Sequence, residues 1–240
     1  MLYLIGLGLN ESGISQQGLE ALKKCKKIYL ENYTVNFPYD FKKLEEVIGK
    51  KVILADRNFV ESDKLVKEAK KEDIVLLVYG SPLTATTHIS LIEEARKEKV
   101  KYEIIYSASI FDAIAETGLQ IYKFGKIASM PAWKKSFEPT SFMEIVKDNE
   151  KIKAHSLILV DISLDLKDAL YELEESVKKE DIKLGKIVVC SRLGTKDKKI
   201  VYGELKNFKA DIAKPYCIII PSKLHFVEEE VLESFANKKL

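Results

Sequence analysis

The strongest constraint on this chain is the regular alternation in its first half. Short apolar runs occur at LYLIGLG (2–8), KIYLE (27–31), KVILAD (51–56), DIVLLVYG (73–80) and YEIIYS (102–107). Several carry no polar alternation, which marks strands covered on both faces. Between them lie stretches of helical spacing at Gln16–Lys26, Phe41–Ile48, Ser62–Lys71 and Thr86–Glu98. In the last of these, Ile89, Ile92 and Ala95 keep one apolar face opposite a charged one. Strands that alternate with helices predict an α/β layer around a mostly parallel sheet.

The second half has a different texture. Ser109 is placed to cap a helix over SIFDAIAETGL, ending at Gly118, and another helix is expected at Ser141–Asn149. Strands follow at SLILVDI (156–162), KIVVCSR (186–192), KIVYGEL (199–205) and YCIIIP (216–221), with helices near 167–179 and 226–237. The 199–205 run alternates apolar and polar residues, so one of its faces should meet solvent. The fold class expected is therefore α/β, in two α/β domains. The first spans 1–108 around a mostly parallel sheet, and the second spans 109–240 around a mixed one.

A chain of 240 residues, 46% of them hydrophobic, can bury two such cores. Its 39 basic and 37 acidic residues nearly cancel, and arginine occurs only at Arg57, Arg96 and Arg192. A near-neutral chain poor in arginine is ill suited to nucleic acid. Cys25, Cys190 and Cys217 are odd in number and far apart, which reads as buried free thiols and not as a disulfide framework. The start, MLYLIGLGLN, has neither the basic region nor the long apolar core of a signal peptide, and no run approaches a membrane span. A cytoplasmic location is expected.

Three turns at strand ends stand out. GLGLNESG (6–13) fails the dinucleotide fingerprint because the third glycine position is Glu11, and an acidic residue there would repel a pyrophosphate. GSPLTATTH (80–88) lacks the phosphate-binding GxxxxGK[ST] pattern. Its free N–H groups and the hydroxyls of Ser81, Thr84, Thr86 and Thr87 suit a neutral, hydrogen-bonding ligand such as a ribose. Helix capping by Thr86 or Thr87 would use only one hydroxyl. SASIFDAIAETG (107–118) again opens with small and hydroxyl residues. In parallel sheets ligands gather at the C-terminal ends of strands, so the three turns are expected to converge on one crevice.

His88, His155 and His225 have no metal-binding spacing, and no metal is expected. A structural role is the simpler reading of each, although His225, between a strand end and a helix start, can face a ligand. Asp112, Glu116 and Asp161 lie in apolar contexts, where a buried carboxylate must find a partner or shift its pKa. Runs such as KKEDI and EESVKKED read as solvated helix faces.

Taken in order, these stretches resemble the diphthine synthases, S-adenosylmethionine-dependent methyltransferases of the tetrapyrrole-methylase-like class. The resemblance rests on MLYLIGLGL, GLEALKKCKKIYLENYT, GSPLTATTH, TGLQIYKFGK, PTSFMEIVKDN, HSLILVDI and PSKLH, and it covers nearly the whole chain. It implies two α/β domains with the cofactor in the cleft between them, and a homodimer. It further implies N-methylation of the 3-amino-3-carboxypropyl-histidine of translation elongation factor 2 in diphthamide biosynthesis. Three methyl transfers give diphthine, and a fourth, as an ester, occurs in eukaryotic relatives.

The same resemblance places cofactor contacts on Leu9, Ser81, Thr84, Ser109, Ile110, Val160, Leu193 and His225. Two departures from the family pattern stand out: Ser81 where an Asp is usual, and Ser222 where a Gly is usual. A neutral acceptor is worth about 1 kcal/mol against roughly 1.5–3 for a carboxylate, so weakened cofactor binding is expected. The attacking amine must be neutral, and Asp161 and His225 are the candidate proton acceptors. Two rival functions are a precorrin-type tetrapyrrole methyltransferase and a non-catalytic cofactor-binding protein. A tetrapyrrole with many carboxylates would favour more arginine than this chain carries.

Overall fold

The computed structural model describes residues 1–236. The chain divides into two compact units, Met1–Ile110 and Phe111–Leu240.

In the first unit, strands β1 (Leu2–Gly6), β2 (Lys27–Glu31), β3 (Ile53–Ala55), β4 (Ile74–Val78) and β5 (Tyr102–Ile105) form one sheet. Its order is β3-β2-β4-β1-β5, and every pairing is parallel. β1 and β4 are buried along their whole length. One face of the sheet carries Leu2, Leu4, Ile74, Leu76 and Val78, packed against Leu65, Val66 and Ala69 of α4 (Lys64–Ala69) and Leu91, Ile92 and Ala95 of α5 (Ile89–Lys97). The other carries Tyr3, Ile5, Val75 and Leu77 against Ala21 and Leu22 of α1 (Gln16–Lys24) and Leu44 of α2 (Phe41–Ile48). Helices on both faces explain why these strands read as unbroken apolar runs.

The second unit is built on β6 (Ala128–Met130), β7 (Ser156–Val160), β8 (Lys186–Ser191), β9 (Lys199–Glu204) and β10 (Tyr216–Ile220), in the order β6-β7-β10-β8-β9. Only the β6–β7 pairing is parallel, so the sheet is mixed as expected. Ile158, Ile187, Val189, Ile218 and Ile220 cover one face of it. They meet Phe142, Met143 and Val146 of α7 (Phe142–Lys151) and Ala169 and Leu173 of α8 (Leu166–Lys179). β9 lies at the edge, and only Tyr202 along it is buried, in keeping with its alternating sequence. All three cysteines are free and buried.

Differences from the sequence expectations have local causes. The helix expected over Ser62–Lys71 is shortened to α4, and a separate short helix, α3 (Arg57–Val60), precedes it, started by the Asp56 carboxylate, which accepts from the Phe59 N–H (2.8 Å). The expected strand 51–56 is shortened to β3, with Asp56 serving as the N-cap of α3. β6 has no signature in the sequence, because its three residues give no period to read. α6 (Ile110–Ala113) is followed by a 3-10 turn (Ile114–Thr117) that ends at Gly118, which adopts φ +80° as a helix stop does. The last helix, α9, spans Phe226–Ser234. Position 237 of the expected helix lies outside the described residues.

Candidate functional site

The three turns of the first unit do converge. They leave the C-terminal ends of the adjacent strands β4, β1 and β5, and they are bonded to one another. The Gly8 N–H donates to the Gly80 carbonyl (3.1 Å) and the Gly80 N–H returns a bond to the Gly8 carbonyl (2.9 Å). The Leu7 N–H reaches the Val78 carbonyl (2.9 Å), and the Ser107 hydroxyl donates to the Gly13 carbonyl (3.0 Å). The Tyr79 hydroxyl donates to the Leu9 carbonyl (3.0 Å) and ties the first turn to the second from the side. The glycines are required by this closeness: a Cβ at Gly6 would sit 2.6 Å from the Gly80 oxygen and 3.0 Å from the Ser107 Cβ. Gly8 and Gly80 also hold φ of +68° and +73°, a region side chains disfavour.

The second turn has its own internal frame. The Thr84 N–H donates to the Ser81 carbonyl (3.0 Å), closing the turn. The Pro82 carbonyl accepts twice, from the Thr86 hydroxyl (2.7 Å) and from His88 Nδ1 (3.0 Å). A carbonyl can only accept, so Nδ1 carries the proton, and Nε2 faces the Tyr33 hydroxyl at 3.5 Å. His88 is itself buried. The Thr87 hydroxyl turns away to Glu61 (3.2 Å). Neither threonine caps α5, whose N-cap position is His88 with no side-chain cap bond. That is why the helix begins three residues later than expected. The hydroxyls of Ser81 and Thr84 form no hydrogen bond among the described residues. Ser81 and Ser109 are buried at the ends of β4 and β5, Leu9 lies buried in the first turn, and Ile110 is half-buried after Ser109.

The remaining predicted residues belong to the second unit. Val160 is the last residue of β7 and half-buried. Leu193 is buried in the turn after β8, behind Arg192, which takes φ +49°. His225 is the exposed N-cap of α9: its Nδ1 accepts from the Val227 N–H (3.4 Å), and its ring lies 4.2 Å from that of Phe226. Asp161 is exposed, and its Oδ1 accepts from the N–H (2.8 Å) and hydroxyl (2.7 Å) of Ser163. Partial burial works to raise its pKa, but Ser163, the Ala132 N–H and Lys134 outweigh it and hold the carboxyl below its usual range. Such a carboxylate is a weak acceptor for an amine's proton.

Asp112 and Glu116 are exposed as well, and Glu116 pairs with Lys198. The carboxylates that are buried are others: Glu31, Glu172 and Glu228. Glu31 is satisfied locally by the N–H groups of Tyr33 (3.0 Å) and Thr34 (2.7 Å) and the Thr34 hydroxyl (2.7 Å). Glu172 accepts from the Trp133 N–H (3.0 Å), while its other oxygen has no partner among the described residues. Burial, aided by Asp168, Asp161 and Glu138, raises its pKa. Glu228, which the sequence reading did not single out, is fully buried and draws in His155 and Lys123. The one legible signal was its place three residues after His225, the capping-box position.

The family profile of the Tetrapyrrole (Corrin/Porphyrin) Methylases matches residues 1–209. The diphthine synthase of Methanocaldococcus jannaschii is 40% identical, over 97% of this chain and 98% of its own. The diphthine methyl ester synthase of Schizosaccharomyces pombe is 36% identical, over 98% and 94%. A crystal structure of a diphthine synthase superposes with a TM-score of 0.89 at 33% identity, over 98% of this chain and 96% of that one. Likeness of this extent, running through both units, means that the chain belongs to the tetrapyrrole (corrin/porphyrin) methylase family, on its diphthine synthase branch.

Proposed function

We propose that this chain is a diphthine synthase, an S-adenosylmethionine-dependent methyltransferase that N-methylates the 3-amino-3-carboxypropyl-histidine of translation elongation factor 2, in three transfers. The observation that carries the reading is the interlocked crevice of the first unit. Its backbone is stripped of side chains at Gly6, Gly8, Gly13 and Gly80, and the Ser81 and Thr84 hydroxyls have no partner among the described residues. That donor set fits a neutral nucleoside and offers no phosphate cradle. In the second unit the Ser222 hydroxyl, beside the His225 cap, is buried with no partner among the described residues, which also suits a ligand's polar edge.

On this reading Leu9, Ser81, Thr84, Ser109 and Ile110 hold the donor in the first unit. Val160, Leu193 and His225 are assigned from the family resemblance. S-Adenosylmethionine supplies a methyl group already activated for displacement. The residues around it bind, orient and exclude water, and alignment alone can contribute about 7–11 kcal/mol to such a transfer. Asp161 is committed to its turn with Ser163 and is held ionised, whereas the cap bond of His225 uses Nδ1 alone, so His225 is preferred of the two candidate proton acceptors. A homodimer follows from the same resemblance. No helix among the described residues is long and apolar enough to cross a membrane.

The test is incubation with radiolabelled S-adenosylmethionine and elongation factor 2 bearing the unmethylated intermediate. Label transfer to the factor is expected, with mass spectrometry separating three methyl increments from four. Label on a precorrin instead would favour the tetrapyrrole reading. Cofactor binding with no transfer to either would leave a binding protein.

A further inference from the structure

Among the described side chains of the second unit, the Glu228 carboxylate accepts the most hydrogen bonds. Glu228 lies fully buried at the third position of α9, and its two oxygens take four donors. Oε1 accepts from the Gln120 N–H (3.0 Å) and from His155 Nε2 (3.2 Å). Oε2 accepts from the His225 N–H (2.7 Å) and from Lys123 Nζ. His155, also fully buried, accepts the Ser222 N–H on Nδ1 (3.0 Å), so its proton sits on Nε2, aimed at Glu228. Lys123 Nζ also donates to the Lys223 carbonyl (2.9 Å). The short turn between β10 and α9 is thus gripped at three backbone points, the Ser222 N–H, the Lys223 carbonyl and the His225 N–H, by His155, Lys123 and Glu228 respectively. Helix capping alone would need only the last of these.

We propose that Glu228 is the positioning residue for the Ser222–His225 turn, with His155 and Lys123 acting through it to fix where His225 and the unpartnered Ser222 hydroxyl point. The proposal rests on the reading that this turn touches the methyl donor. A buried carboxylate that is complete only with four donors has one stable geometry, and a turn bound to it inherits that geometry. A glutamine in its place has one accepting oxygen and one donating nitrogen. Whichever way that amide is flipped, two of the four donors lose their acceptor.

The measurements are calorimetric titration with S-adenosylmethionine, steady-state methyl transfer and nitrogen NMR of the histidines. In the wild type, adding S-adenosylmethionine should shift the His225 signals; no shift would overturn the reading of the turn as a donor contact, and this inference with it. Glu228→Gln should raise the Kd for S-adenosylmethionine about tenfold and, because the turn it fixes carries the candidate proton acceptor His225, lower kcat as well. His155→Gln mimics Nε2 and keeps a donor toward Glu228, whereas His155→Asn mimics Nδ1 and loses it. The former should retain the greater affinity even if Glu228→Gln fails to fold. Shifted His225 signals together with an unchanged Kd in Glu228→Gln, or equal affinities in the two His155 variants, would overturn the positioning role.

Discussion

Replacing Gly6 by alanine tests the claim that the strand-end turns are packed against one another. The added Cβ would lie 2.6 Å from the Gly80 oxygen, and ordinary contact begins at 3.4 Å, so the second turn must retreat by about 0.8 Å. The same oxygen accepts from the Gly8 N–H at 3.1 Å, a bond that cannot survive that displacement. Losing it leaves a donor unsatisfied at a cost of about 1–3 kcal/mol, and overpacking adds about 1–3 kcal/mol. The first unit should therefore lose roughly 2–6 kcal/mol. Gly185→Ala is the control, since nothing lies within 4 Å of its added Cβ and its φ is not in the left-handed region; it should change stability by less than about 1 kcal/mol. Thermal midpoints report the loss, and hydrogen exchange at the Leu7 and Gly8 amides localises it. If Gly6→Ala melts and exchanges like Gly185→Ala, the turns are not interlocked, and the argument for a shared crevice falls.

Ser81→Asp should tighten S-adenosylmethionine binding by about 0.5–2 kcal/mol, the difference between a charged and a neutral acceptor, read by titration calorimetry. A mutant that binds no tighter would show that the serine costs the site nothing. His88→Ala removes one of the two donors to the Pro82 carbonyl and should destabilise the first unit by about 1–3 kcal/mol, while His88→Asn, which can still donate, should recover part of it. Burial, with Lys123, lowers the His155 pKa against the pull of Glu228. Below about pH 6.5 the unfolded chain takes up a proton that the folded chain refuses, so this contribution to stability is complete above that pH and fades as pH falls. Denaturation midpoints at pH 7 and pH 5.5 should differ more for the wild type than for His155→Gln. Burial by itself would raise the Glu228 carboxyl, but the His225 N–H, Lys123, the Gln120 N–H and His155 outweigh it and hold it at about 2. Its share of stability is complete above about pH 4.5 and is lost toward pH 2, so Glu228→Gln should flatten the acid limb of the midpoint curve.

Much of this protein is legible in one dimension. β1 and β4 betray themselves as unbroken apolar runs because a strand sandwiched between two helix layers has no polar side to show. β9 betrays itself by alternation because one of its faces is wet. The three turns could be picked out because a strand end that must let another backbone approach has to be written in glycine and small hydroxyl residues. Burial of the carboxylates was not legible. Asp112, Glu116 and Asp161 sit among apolar neighbours and face solvent, while Glu228 sits among glutamates and is buried, because chain neighbours do not determine which side of a helix or turn meets another segment. The destination of the hydroxyls was hidden for the same reason: Thr86 and Thr87 read as ligand donors, with capping of the next helix as the alternative, but they bond the Pro82 carbonyl and Glu61. What the amino-acid order determined by itself was the layering, since hydrophobic period is a property of consecutive residues. What only the tertiary structure decided was which donors meet which acceptors, since Gly8 with Gly80, and His155 with Glu228, become neighbours only when the sheets have formed.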